Sequence, residues 1–153
     1  MESIREYVVP QEGLLKGKRL WVTKAKDEGL SLSFSNLQIG SVHLTYSILE
    51  KTLTLGNKIY KTTDFNEEPW KKGFYNIEIP DHPHAGGTHY PNSKYAKTWF
   101  RIGHSGDKYI HTGKHSLGCI TMIEIEKWDE LCLILLKARK GDGMNIGTLT
   151  VID

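Results

Sequence analysis

Residues 109–120 read YIHTGKHSLGCI, a β-prone run followed by a glycine-rich turn and a cysteine. A cysteine thiol becomes a strong nucleophile when a neighbouring base takes its proton. His111 lies eight residues before Cys119 and His104 lies fifteen before it, so either histidine would reach the sulfur across a loop. Cys119 is therefore a candidate nucleophile. His111 is the favoured base because a β-like run precedes it and Thr-Gly follows it, and His104 is the alternative.

Small and polar residues surround this cysteine. Gly118 would let a substrate carbonyl approach closely and would leave backbone N–H groups to stabilise an oxyanion. Ser116 is expected to orient the turn or the imidazole rather than to act as a nucleophile. The competing interpretation is structural, because free cysteine is among the most buried residue types. On that interpretation the chain is a non-catalytic β-rich binding or assembly module.

Composition indicates a globular protein. The chain has 153 residues, 39% of them hydrophobic and 25% charged, with a formal net charge of +2. This length suits a single domain, residues 1–153, and the charge is too small to predict a nucleic-acid partner. No apolar run is long enough for a transmembrane segment, and the N-terminus lacks the pattern of a signal peptide. Two cysteines in a chain of this size argue against a disulfide framework, and Cys132 is expected to fill the core.

Alternation of apolar and polar residues predicts strands over the first two thirds of the chain. Gly56-Asn57 separates two β-prone runs, as in a two-residue hairpin. Residues 80–96, with several prolines, glycines and histidines, are predicted to form a long loop. The strands are expected at residues 19–23, 30–34, 42–47, 52–55, 58–62, 74–79, 98–102, 108–110 and 147–152.

One helix is predicted, at about residues 123–140. Residues 121–124 resemble a capping box, and residues 141–143 contain two glycines that would end the helix. The fold class is therefore mainly β, with one main helix after the cysteine. The apolar face of the helix is expected to consist of Trp128, Leu131, Cys132, Leu135 and Ala138.

The order of these features resembles the L,D-transpeptidase (YkuD-type) catalytic domain. That family has an apolar-His-Gly or apolar-His-Ser element and then Ser-x-Gly-Cys, and here residues 110–113 read IHTG and residues 116–120 read SLGCI. Residues 68–77, EPWKKGFYNI, are similar to its Thr-Pro-x-Gly-x-Phe strand, and GTLTVI at residues 147–152 to its closing strand. The resemblance covers about residues 68–153, whereas about residues 1–65 match only as β-rich sequence.

The resemblance implies a β-sandwich or barrel and a thioester mechanism. His111 would take the proton of Cys119, and the thiolate would attack the carbonyl between an L-centre and a D-residue of a peptidoglycan stem peptide. Backbone N–H groups near Gly118 and Cys119 would receive the oxyanion. Transfer to an amine would give transpeptidation or D-amino-acid exchange, and transfer to water would give L,D-carboxypeptidase trimming. The resemblance implies no cofactor and no metal.

Three positions depart from the family pattern. The loop between His111 and Cys119 is shorter than the usual spacing, Thr121 stands where members commonly carry arginine, and Leu117 stands where they often carry histidine. Other residues could contact the substrate, and one of them is a candidate replacement for the missing arginine. The candidate replacement is Arg101. The other substrate-binding candidates are Thr112, His115 and Tyr90.

The short loop and the lack of a signal-peptide pattern resemble features of a divergent group of these domains. Members of that group act as interbacterial toxins against peptidoglycan. This likeness implies action in the periplasm or cell wall. It also implies delivery by a signal-peptide-independent secretion machinery, with an omitted signal peptide as the rival explanation. A cognate immunity protein would be a further partner.

A second constellation is rich in histidine. Imidazoles near an aspartate can bind zinc, so a metal-dependent hydrolase is the alternative enzyme. The spacing matches no established metal motif, and Pro83 indicates a loop, so histidines that are solvated or contact substrate are favoured. The residues of this constellation are Asp81, His82, His84, His89 and His104.

Overall fold

A computed structural model describes residues 3–8, 20–25, 29–31, 40–104 and 106–153. The first three strands form a sheet of their own, in which β2 (Leu20–Ala25) pairs antiparallel with both β1 (Ser3–Val8) and β3 (Gly29–Ser31). The sequence patterns do not predict β1. The expected strand at residues 30–34 is described only as far as Ser31, and its remainder lies outside the described residues.

The remaining strands form one eight-stranded sheet in the order β7-β11-β4-β5-β6-β10-β9-β8. Leu55 pairs with Lys58 across Gly56-Asn57, which confirms the predicted two-residue hairpin. The strands are β4 (Val42–Ser47), β5 (Thr52–Leu55), β6 (Lys58–Thr63), β7 (Gly73–Glu78), β8 (Phe100–Arg101), β9 (Tyr109–Thr112), β10 (Ile120–Met122) and β11 (Asn145–Ile152).

The two edges of this sheet meet, so the sheet is nearly closed. Ile77 of β7 forms a bridge with Ile102, directly after β8, and the Gly103 N–H donates to the Asn76 carbonyl at 2.8 Å. The expectation of a mainly β fold with one main helix is confirmed. Because β4, β5 and β6 lie in the middle, the sheet combines strands from both sides of the expected boundary near residues 65–68.

Helix α1 (Trp128–Lys137) follows a 3-10 turn at Ile125–Lys127 and is shorter than the sequence predicts. Its predicted apolar face is confirmed, since Trp128, Leu131, Cys132 and Leu135 are fully buried. The capping-box interpretation of residues 121–124 is wrong. Strand pairing with β6 and β9 takes Thr121 and Met122 into β10, so tertiary contacts override the local helix signal.

The C-terminal end of α1 also differs from the prediction. Ala138 has an extended backbone, so α1 ends before the glycines at residues 141–143. Neither Cys119 nor Cys132 forms a disulfide, and Cys132 packs in the core as expected. Within the described ranges, the structure has no helix that is both long and apolar enough to cross a membrane.

Candidate functional site

Strands β9 and β10 run parallel and position the candidate nucleophile and base. Thr121 of β10 pairs with His111 of β9, and the Thr121 hydroxyl lies 3.4 Å from His111 Nε2. Cys119 directly precedes β10. Because side chains alternate along a strand, Cys119 is expected on the same face as Thr121. Strand spacing then separates the Cα atoms of Cys119 and His111 by roughly 8 Å.

The Cys119 thiol is half-buried and is held at the start of β9. Its Sγ lies 3.7 Å from the Asp107 carbonyl, to which the thiol donates. Burial raises the pKa of the Cys119 thiol, while the Tyr109 backbone N–H and the Lys108 ammonium partly oppose that increase. Cys119 is therefore a neutral thiol at neutral pH. Among the described contacts, its Sγ forms no hydrogen bond with a histidine.

His111 is buried, and its ring orientation is fixed by three neighbours. Nδ1 lies 2.8 Å from the Thr112 carbonyl, so we assign the ring proton to Nδ1 and the lone pair to Nε2. The ring stacks on Trp99 with 3.9 Å between centroids, and the Thr121 hydroxyl contacts Nε2. Burial lowers the pKa of His111, so the imidazole is neutral and can accept a proton.

Ser116 shapes the turn before the cysteine. Its hydroxyl donates to the Cys119 carbonyl and accepts the Gly118 N–H at 3.1 Å. Gly118 has a φ of 135°, a conformation that favours glycine. Of the backbone N–H groups expected to receive an oxyanion, that of Gly118 already donates to Ser116, and the expectation for the Cys119 N–H stays a prediction.

The structure adds Lys108, which sequence reasoning missed. A Cβ on Gly118 would lie only 2.5 Å from Lys108 Nζ, so the ammonium rests against the turn beside Cys119. Nζ also lies 5.6 Å from the centroid of the Trp70 ring. No local motif marks this lysine, because contacts across the turn place it.

A cavity of about 550 Å³ opens beside Lys108. Its lining residues are Glu68, Pro69, Trp70, Lys71, Tyr75, Ile102, Gly103, His104 and Lys108.

Two of the predicted residues lie away from the thiol. His104 is exposed, lines this cavity and has its Nδ1 3.8 Å from Glu78 Oε2. Arg101 lies on β8, which β9 separates from β10, and it donates to the Tyr109 hydroxyl at 3.2 Å. In this structure the Arg101 guanidinium contacts Tyr109 and Asp81, and its replacement of the arginine expected beside the cysteine stays a prediction.

The other substrate-binding candidates occupy three different environments. Thr112 is 1% exposed and donates to the Met122 carbonyl at 2.8 Å, so its hydroxyl is a structural contact here, and its binding to substrate stays a prediction. His115 is exposed in the turn. The Tyr90 hydroxyl accepts the Lys114 N–H at 3.0 Å and so joins the long loop to the turn.

The histidine-rich loop contains a short 3-10 helix, Ala85–His89, and only part of the expected metal set. The ligand atoms of His82 and His84 group with that of Asp81, all within 4.8 Å of one another. His89 and His104 are not members of this group in the described part of the chain. The four histidines therefore do not form one group among the described residues, because His89 lies against Tyr90 and His104, which follows β8, faces Glu78.

The assembled site combines a neutral thiol, a neutral imidazole on the adjacent strand and an ammonium beside the turn. Acyl transfer through sulfur uses a thiol with a base in reach and a positive or N–H group for the developing oxyanion. The arrangement can therefore supply the groups of that chemistry once Sγ turns from Asp107 towards the imidazole. No protein-family model and no curated protein matches this chain.

Proposed function

We propose that the chain is a cysteine acyl-transfer enzyme that acts on peptidoglycan stem peptides, as an L,D-transpeptidase, an L,D-carboxypeptidase or a D-amino-acid exchange enzyme. One observation carries the proposal. A neutral His111, with its Nε2 lone pair free of a ring proton, lies on the strand that pairs in parallel with the segment after Cys119. A Cys–His general-base pair requires a neutral imidazole of this kind, and it also requires the thiol to come within hydrogen-bond reach of that imidazole.

The first half-reaction forms a thioester. His111 Nε2 takes the Sγ proton, and the sulfur attacks the carbonyl carbon of the L-centre before the terminal D-residue. The oxyanion forms towards the Lys108 ammonium, because the Gly118 N–H already donates to Ser116. The amide C–N bond then breaks, and the D-residue leaves as an amine with the proton from His111.

The second half-reaction restores the thiol. An acceptor amine or a water molecule loses a proton to His111 and attacks the thioester carbon. The C–S bond breaks and the sulfur takes the proton back. An amine acceptor gives a cross-link or an exchanged D-amino acid, and water gives a trimmed stem peptide.

The chemistry requires the thiol to move. Sγ now faces the Asp107 carbonyl at 3.7 Å, and catalytic hydrogen bonds are often long before substrate binds. The cavity beside Lys108 has room for part of a stem peptide, and its lysines suit a carboxylate. Catalysis therefore requires Sγ to leave Asp107 and approach His111 when substrate binds.

The direct test is turnover of a disaccharide tetrapeptide, followed by mass spectrometry. Wild type should release the terminal D-residue, and Cys119→Ala should keep the fold but release none. His111→Ala should lower turnover by about a hundredfold or more, whereas His104→Ala should retain it. Release by Cys119→Ala at the wild-type rate would overturn the proposal. Loss in His104→Ala with retention in His111→Ala would assign the base to His104.

The proposal extends to an antibacterial role in the periplasm or cell wall, with a secretion machinery and a cognate immunity protein as partners. If so, wild-type protein directed to the periplasm of a bacterial host should lyse cells, while the same chain kept in the cytoplasm should not. Periplasmic Cys119→Ala is the matched control. Equal toxicity of Cys119→Ala would contradict a catalytic toxin.

A non-catalytic β-rich module is the second candidate, and the raised pKa of Cys119 favours it. A thiol-reactive carbapenem separates the two functions. The enzyme should acylate Cys119 and spare the fully buried Cys132. A non-catalytic module should leave both cysteines unmodified.

A further inference from the structure

The loop after β7 brings three metal-binding side chains together outside the proposed catalytic pair. His84 Nε2 lies 2.9 Å from Asp81 Oδ1, and His82 Nε2 lies 3.9 Å from Asp81 Oδ2. One ligand atom from each of the three residues lies within 4.8 Å of the other two. We propose that Asp81, His82 and His84 form a binding site for a divalent transition metal such as Zn²⁺.

The spacing is close to what tetrahedral zinc needs. Ligand atoms around Zn²⁺ lie about 3.3 Å apart when the metal–ligand distances are about 2.0–2.1 Å. Small rotations of the His82 and Asp81 side chains would therefore bring all three atoms to the metal. His82 is largely exposed, so water can complete the coordination from the open side.

The loop backbone limits how far these ligands can move. The His84 N–H donates to the Lys97 carbonyl at 2.8 Å, and the His82 N–H donates to Asp81 Oδ1 at 2.7 Å. Pro83 fixes the backbone between the two histidines. A site held in this way needs little additional ordering when the metal binds.

The carboxylate is oriented by a second layer of contacts. The Tyr109 hydroxyl donates to Asp81 Oδ2 at 3.3 Å, and Arg101 Nη2 lies 3.6 Å from the same oxygen. Metal-binding carboxylates are commonly hydrogen-bonded in this way. The Arg101 charge opposes a cation, so we expect a moderate affinity rather than that of a buried structural zinc.

One aromatic ring connects this site to the proposed base. Trp99 stacks on His84 with 4.4 Å between centroids and on His111 with 3.9 Å. Metal binding would replace the contact between His84 Nε2 and Asp81 Oδ1, now 2.9 Å, with a separation of about 3.3 Å, and the indole would transmit that displacement to His111. An effect on turnover rests on the proposed function, whereas metal binding itself does not.

Calorimetry with Zn²⁺ and visible absorption with Co²⁺ test the site in the untagged full chain. We expect one metal per chain, the absorption of four-coordinate Co²⁺, and affinity at least about tenfold weaker in His82→Ala and Asp81→Asn. The exposed His89→Ala and the thiol-free Cys119→Ala are matched controls that should bind like wild type. Wild-type affinity in His82→Ala and Asp81→Asn, or no binding by wild type, would overturn the proposal.

Discussion

The imidazole of His111 lies flat against the indole of Trp99, with 3.9 Å between ring centroids and 11° between the ring planes. This contact, with the hydrogen bond from Nδ1 to the Thr112 carbonyl, fixes the direction of Nε2. Trp99 is therefore a positioning residue for the proposed base.

Removing the indole should impair catalysis through His111. We expect Trp99→Leu to lower kcat by about tenfold to a hundredfold with a smaller effect on KM, because a misoriented base slows proton transfer. The acid limb of the pH–rate profile should move up, since a less buried imidazole regains a higher pKa. Trp99→Phe should recover part of the rate. An unchanged pH profile in Trp99→Leu would contradict the positioning role.

Lys108 should control the reactivity of the candidate nucleophile. Its ammonium lowers the pKa of Cys119 against the effect of burial, so Lys108→Met should raise that pKa further. Iodoacetamide should then alkylate Cys119 more slowly at mildly alkaline pH, and the midpoint of the rate–pH curve should rise. Lys114→Met, an exposed lysine in the same turn, is the control. Equal alkylation profiles for the two variants would exclude Lys108 from this role.

His111 should make the fold sensitive to acid. Burial lowers its folded pKa below the ordinary value of 6.5, so the unfolded chain binds a proton that the folded chain resists. The free energy of unfolding should fall as the pH drops from above 6.5 towards the folded pKa. Urea unfolding of wild type and His111→Gln at several pH values measures this contribution. An identical pH dependence in both proteins would contradict a buried neutral His111.

Because β4 and β11 approach each other closely at Gly147, a side chain at this position should destabilise the fold. A Cβ at Gly147 would lie 1.9 Å from the Val42 carbonyl oxygen, whereas a Cβ at Gly40 would contact nothing within 4 Å. Gly147→Ala should therefore lower the free energy of unfolding by about 3 kcal/mol or more, and Gly40→Ala should change it little. Denaturant unfolding of both variants is the measurement. Similar midpoints would mean that the two strands separate easily.

The strand patterns in the sequence predict much of the fold because side-chain alternation reports directly on burial. The runs at residues 42–47 and 52–55 match β4 and β5, and Gly56-Asn57 predicts the hairpin that joins β5 to β6. The start of α1 could not be predicted in the same way. Thr121 and Met122 satisfy a local helix signal, but they pair with β6 and β9, and that pairing has no signature within the segment.

The site is predictable only in part for the same reason. The motif indicates Cys119 and His111, which are close in sequence: His111 lies in β9, and Cys119 directly precedes β10, the parallel neighbour of β9. Lys108 contacts the turn from the segment just before β9, and Trp99 stacks on His111 from the segment just before β8. Because each contact joins separate segments of the chain, no local sequence motif marks either residue. The hydrogen bond from the Gly118 N–H to the Ser116 hydroxyl depends on the backbone conformation of the turn, which the sequence does not predict.

A covalent adduct on Cys119 tests the central proposal most directly. Wild-type protein should be mixed with a disaccharide tetrapeptide, quenched rapidly in acid, digested and analysed by mass spectrometry. The account predicts a stem-peptide acyl group on the Cys119 peptide, no adduct on Cys132, and none in Cys119→Ala. Substrate turnover without an adduct on Cys119, or the same adduct formed by Cys119→Ala, would contradict it.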